Sequence, residues 1–158
     1  ETIADYGVLA KQACVAGVVT PALEYVVEAN TLLSGIGFES GGLGASHAIH
    51  NGLTVLHDTH DYLHGEKVAY GLLASLFLTG KPPQVIKKLY RLYGDIGLPT
   101  SLRDIGLADI SRDELMLAAV AACTPGSNIY HETVEITADR VCDAMLAADS
   151  YGRSLAFK

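Results

Sequence analysis

The sequence has no tryptophan, only three phenylalanines and two methionines, and just 18% charged residues. With 49% of its residues apolar, it is not a solvated, disordered chain. Basic residues are especially scarce. Eleven Lys and Arg stand against 18 Asp and Glu, giving a net charge of −7 and a pI near 5.2. Nucleic acid and anionic membranes both need a basic face, so neither is expected as a partner. No apolar run approaches the ~20 residues that span a bilayer, and no signal peptide precedes the helical pattern that begins at Glu1. Cysteine is limited to Cys14, Cys123 and Cys142, an odd count without CxxC spacing. That usage predicts reduced, buried thiols in a cytoplasmic protein.

What is present is helix. The 158 residues suffice for one domain with its own core. Residues 2–16 read as a helix with Ile3, Val8, Leu9, Ala13 and Ala16 near one face, stopped by Gly17. Thr20-Pro21 is an N-cap followed by a first-turn proline, and that helix is expected to run to about Ser34. Residues 35–44, GIGFESGGLG, hold five glycines and predict a tight turn in which backbone approaches something closely. Helical pattern returns at Ala45, with Ser46 able to cap, and Gly52 reads as a glycine kept inside a helix for close packing. HDTHDYLH is a polar, solvated connector, and a buried helix follows Gly65 with Glu66 in its first turn.

Gly80-Lys81-Pro82-Pro83 is a helix joint, followed by an amphipathic helix with Val85, Leu89, Leu92 and Ile96 at helical spacing. Residues 102–110 form a compact loop. Ser111 with Glu114 is a capping box, residues 124–135 a surface connector, and Thr137 the cap of a last helix. No strand pattern or repeat is found. The fold class is all-α, a bundle-like domain of six to eight helices.

Chemistry concentrates between Gly41 and Gly71, where five of the six histidines lie: His47, His50, His57, His60 and His64. His47 and His50 are one turn apart on the same side of a helix, and an antiparallel return can bring His64 beside them. Three protein ligands with one open position are usual for catalytic zinc. His57 and His60 flank Asp58 and Asp61 in the polar connector and read as ordinary surface histidines. The ligand set is short by one. Glu39, Asp58 and Asp61 are the carboxylates nearest in sequence, and none sits on a helix clearly facing the pair. Either His50 contributes or the third ligand lies outside this chain. No glycine loop follows a strand here, so no dinucleotide site is expected within it.

The blocks TPALEYVVEANTLLSGIGFESGGLGASHAIHNG and HGEKVAYG, with YGDIGLPTSLRDIGL and LAADSYGRSLA, resemble the C-terminal helical domain of the bacterial glycerol dehydrogenases. These enzymes belong to the iron-containing (group III) alcohol dehydrogenase superfamily. The resemblance covers the whole chain and implies a helical metal- and substrate-binding domain over residues 1–158. An NAD-binding N-terminal domain would lie outside the chain. By the same resemblance, His47 and His64 match two ligands of a divalent metal, zinc or iron. An aspartate upstream of Glu1 is the third. Phe38 matches a residue lining the substrate pocket, and His50 a residue supporting the ligands.

The implied reaction is NAD-dependent oxidation of glycerol to dihydroxyacetone, with the metal as Lewis acid. It would run in an intact homo-oligomer and not in this chain alone. Two rival readings stand beside it. One is the helical domain of a dehydroquinate synthase-like enzyme, for which more basic residues near the site are expected than the single Lys67. The other is a non-catalytic helical module.

Overall fold

Thr20, Ser111 and Thr137 each start a helix with their hydroxyl oxygen, accepting from Leu23 N, Glu114 N and Arg140 N. The structure is a computed structural model describing residues 1–155, with the surroundings of Phe38 and Gly41 left aside. Among the described residues there are eight α-helical segments and no strand. They are α1 (Thr2–Ala16), α2 (Pro21–Glu28), α3 (Ser34–Gly41), α4 (Ala45–Leu53), α5 (His64–Leu78), α6 (Pro83–Ile96), α7 (Arg112–Ala122) and α8 (Ala138–Ser154). Among the described residues no single helix is long and apolar enough to cross a membrane.

The core lies where α4 packs on α5 and α7, and where both of those pack on α8. Ile49, Leu53, Tyr70, Leu73, Leu115 and Met145 fill it. Two glycines set the spacing. A Cβ on Gly52 would collide with the carbonyl oxygen of Ala118 in α7, and one on Gly71 with that of Ser46 in α4. The expected role of Gly52 is therefore met. Tyr70 and Tyr90 donate their hydroxyls to the Met145 and Ala148 carbonyls of α8, each at 2.6 Å, so the buried phenols are satisfied.

Several expectations need correcting. The glycine-rich run 35–44 is helical as far as Gly41. The second helix does not stop near Ser34 but passes through a π-helical turn, Ala29–Leu33, into α3. Each interior glycine costs a helix only ~1 kcal/mol. Nothing lies within 4 Å of a Cβ on Gly35 or Gly37, so those two make no close approach. Gly42, at φ 68°, ends the run.

On α1 the buried residues are Gly7, Ala10 and Ala13, with Gly7 beside Leu92 and Ile96 of α6; Leu9 and Ala16 are exposed. On α6, Val85 is exposed and the buried stripe is Tyr90, Leu92 and Tyr93. Of the three free cysteines, only Cys142 is buried; Cys14, on the outer side of α1, is exposed. No residue of α2 is buried, and Tyr25, Val27, Leu32, Leu33 and Ile36 leave an apolar surface open along α2 and α3.

The compact loop after α6 is tied by one carboxylate. Asp104 Oδ2 accepts from the backbone N–H of Thr100 and Ser101 (both 2.9 Å) and from their hydroxyls (3.2 and 2.9 Å). Burial pushes the Asp104 carboxyl up. The four donors outweigh it and hold the group below its ordinary value. A carboxylate lowered in the folded state stabilises the fold above its unfolded pKa of about 3.9, and that share is lost as pH falls through and below it. Asp104→Asn is expected to flatten the acid limb of the stability–pH curve, read from urea midpoints. Gly71→Ala is expected to cost about 1–3 kcal/mol by overpacking, seen as a lower denaturant midpoint at unchanged slope.

Candidate functional site

α4 follows its cap residue Gly44 and carries Ser46, His47, His50 and Asn51 within two turns. α5 begins at His64 and runs back against α4, with Gly71 seated on Ser46. That contact brings the start of α5 over the face of α4 holding the histidines. The His47 and His64 ring centroids lie 5.9 Å apart. His50 and His64 are closer, with centroids at 4.3 Å and planes at 69°. His64 Nδ1 and His50 Nε2 are hydrogen-bonded at 3.1 Å, and His50 Nδ1 bonds Asn51 Oδ1 at 3.0 Å. Ser46 Oγ lies 3.4 Å from His47 Nδ1. Exposure grades across the cluster: His50 is buried at 8%, His47 half-buried and His64 exposed.

Burial lowers the pKa of His47, and the neighbouring His64 lowers it further. Burial is also the largest influence on His50. The Asn51 hydrogen bond opposes it, while His64, Lys67 and His47 add to the lowering. Both shifts favour the neutral form, in which imidazole offers a lone pair to a cation. Among the described residues, no group of three or more His, Cys, Asp or Glu closes a full ligand set. The histidines are therefore an incomplete set.

The other candidates lie elsewhere. Glu39, Asp58 and Asp61 are exposed and none joins the cluster. Asp58 pairs with its neighbour His57 at 3.8 Å, and His60 Nε2 bonds the Thr54 carbonyl at 2.9 Å, so His57 and His60 stay outside the cluster, as expected. Phe38 falls in α3, and its side chain lies outside the described residues.

Known proteins resemble this chain in sequence and fold. The chain is 58% identical to a glycerol dehydrogenase of Thermotoga maritima over 153 residues, 97% of this chain and 42% of the relative. It is 45% identical to a glycerol dehydrogenase of Escherichia coli, over 96% of the chain and 41% of that relative. A probable glycerol dehydrogenase from Sinorhizobium meliloti superposes with a TM-score of 0.94 at 47% identity, over 98% of this chain and 44% of the other. The chain belongs to the glycerol dehydrogenase family. It spans about two-fifths of the length of these relatives. No protein-family model matches it.

Within this glycerol dehydrogenase-related chain, sequence reasoning missed two supports of the cluster. Ser46 does not cap α4. Glu132, 87 residues on, places Oε1 3.0 Å from the Ala45 N–H and caps the helix from across the fold. His131 Nδ1 bonds the Leu43 carbonyl at 3.1 Å in the same strap. Residues 124–135 are thus no simple surface connector: Asn128–His131 is a 3-10 turn that packs on α4 with Ile129 fully buried. Nothing local marked Glu132, because its partner is distant in sequence. The second support is Lys67. Its ammonium is buried and donates to the Thr59 carbonyl at 2.9 Å. The 57–64 connector is correspondingly not solvated throughout, since Thr59 is buried beneath it.

Removing the cap tests this support. Glu132→Ala is expected to cost about 1 kcal/mol. Glu132→Gln, which retains an acceptor, is expected to cost less; thermal melts of the two variants compare them.

Proposed function

We propose that this chain is the metal- and polyol-binding helical half of an NAD-dependent dehydrogenase that interconverts glycerol and dihydroxyacetone. His47 and His64 hold the divalent metal, zinc or iron. The observation that carries this reading is the His47–His64 pair, brought together by α4 and α5 in a chain so similar to glycerol dehydrogenases. Two imidazoles on one tetrahedral zinc, with Zn–N bonds of ~2.0–2.1 Å, have centroids about 5 Å apart. In this structure the His47 and His64 centroids lie 5.9 Å apart. His50 has Nε2 engaged with His64 and Nδ1 with Asn51, which supports a role behind the ligand rather than on the metal. The third ligand and the NAD site belong to protein beyond this chain. When bound, the metal supplies Lewis acidity toward a substrate hydroxyl and NAD accepts hydride.

The chain's own part is to present two imidazoles, His47 and His64, from packed helices at the rim of its core. Two further observations bear on the substrate. Lys67, the cation beside the histidines, is turned inward to Thr59, which disfavours a phosphorylated substrate of the dehydroquinate synthase type. A 43%-identical relative from Halobacterium salinarum is a glycolaldehyde reductase, so small hydroxy compounds other than glycerol fall within the same reading. The apolar surface along α1 to α3 supports burial against further protein in a cytoplasmic homo-oligomer.

Elemental analysis of the intact protein tests the ligands. About one metal per subunit is expected, with near-complete loss in His64→Ala and in His47→Ala. Equal metal in variant and parent removes that histidine from the site. The 158-residue chain by itself is expected to show no NAD-dependent glycerol oxidation; measurable turnover refutes the division of labour.

A further inference from the structure

The hydrogen bonds behind His64 have a fixed polarity that can be read from one end. A carboxamide oxygen only accepts. Asn51 Oδ1, 3.0 Å from His50 Nδ1, therefore requires the N–H of the His50 ring on Nδ1. A neutral imidazole carries a single N–H, so His50 Nε2 holds a lone pair and accepts. Its partner at 3.1 Å is His64 Nδ1, which must then carry the N–H of that ring. The nitrogen left with a free lone pair on His64 is Nε2.

We propose that Asn51 and His50 are positioning residues that lock His64 into the Nδ1–H tautomer and aim its Nε2 lone pair outward as a metal donor. The proposal rests on the reading of His64 as a ligand. It adds which nitrogen binds and what sets it. Ligating histidines commonly give their other N–H to a carboxylate, a carbonyl or water. Here the acceptor is a second imidazole, itself oriented by an amide. The surroundings favour this use of His50. It is buried in α4 against the core, which holds its ring in place, whereas His64 is exposed at the first residue of α5 and has no other hydrogen-bond partner on its ring among the described residues. The two rings lie with centroids 4.3 Å apart and planes inclined by 69°. His47 has only the longer 3.4 Å contact with Ser46 Oγ behind it, so the two proposed ligands differ in how firmly they are held.

The test separates acceptor chemistry from packing. His50→Gln places an amide oxygen that can accept from His64 Nδ1–H, while His50→Leu fills similar space and accepts nothing. With cobalt(II) as the probe in the intact protein, His50→Leu is expected to weaken binding by about 10–100-fold, and His50→Gln to retain most of the affinity. Asn51 is exposed, so Asn51→Leu leaves the core intact and provides a second arm. In the metal-free protein, ¹⁵N-resolved histidine spectra are expected to show His64 protonated at Nδ1, and Asn51→Leu to give a mixture of tautomers.

The proposal is overturned if His64 is protonated at Nε2, if His50→Leu binds cobalt as the parent does, or if His50→Gln is as weak as His50→Leu. Loss of metal in His64→Ala without loss in His50→Leu sinks the relay and leaves the ligand reading standing. Retention of metal in His64→Ala sinks the ligand reading itself, and the tautomer measurement then reports on the relay alone.

Discussion

Everything at the site depends on how closely α4 and α5 can cross. Gly71 has no side chain, so α5 lies directly on the Ser46 carbonyl, one residue before His47 and four before His50. On its other side α4 is seated through Gly52 on the Ala118 carbonyl of α7. A helix clamped between two neighbours at backbone contact has little freedom to rotate. The direction in which His47 and His50 project is therefore set by two glycines that carry no chemistry. His64 inherits its position from the same crossing, because it is the first residue of the helix that Gly71 anchors.

A clamped helix still has an end to satisfy. The N-terminus of α4 leaves N–H groups without intrahelical partners, and its cap residue, Gly44, has no side chain to offer. Glu132 supplies the acceptor, and its negative charge suits the positive end of the helix dipole. At the other end of the connector, Glu66 Oε2 accepts from the Leu63 N–H at 2.7 Å and steadies the start of α5 next to His64. The site thus sits between two carboxylates, one at the head of each helix. Both are occupied with backbone amides and neither enters the histidine cluster.

These supports were unequally legible in the sequence. The caps at Thr20, Ser111 and Thr137 could be read directly, because cap and helix are adjacent in the chain. So could the all-helical class, since no stretch alternates with period two. Gly52 was legible because a glycine inside an otherwise helical pattern demands a packing reason. The run 35–44 misled because five glycines look like a turn, while the cost of a glycine in a helix is small enough for the flanking helix to continue through it. Val85 misled because it lies at the exposed start of α6 while Leu89, Leu92 and Ile96 turn inward with Tyr90 and Tyr93, and Leu9 because α1 buries Gly7, Ala10 and Ala13 instead. Glu132 and the inward turn of Lys67 were invisible, since both depend on contacts that only the folded chain creates.

The gradient of exposure across the three histidines bears on how such a site works. His50 is buried with its ring bonded at both nitrogens, His47 is half-buried, and His64 stands at the surface. A full ligand set within one helical domain would bind its metal without reference to anything else. Among the described residues there is no such set, only a graded row from His50, bonded at both nitrogens, to His64 at the surface. The glycine crossings that seat α4 and α5 fix where the three rings lie, and burial favours the neutral form of His47 and His50.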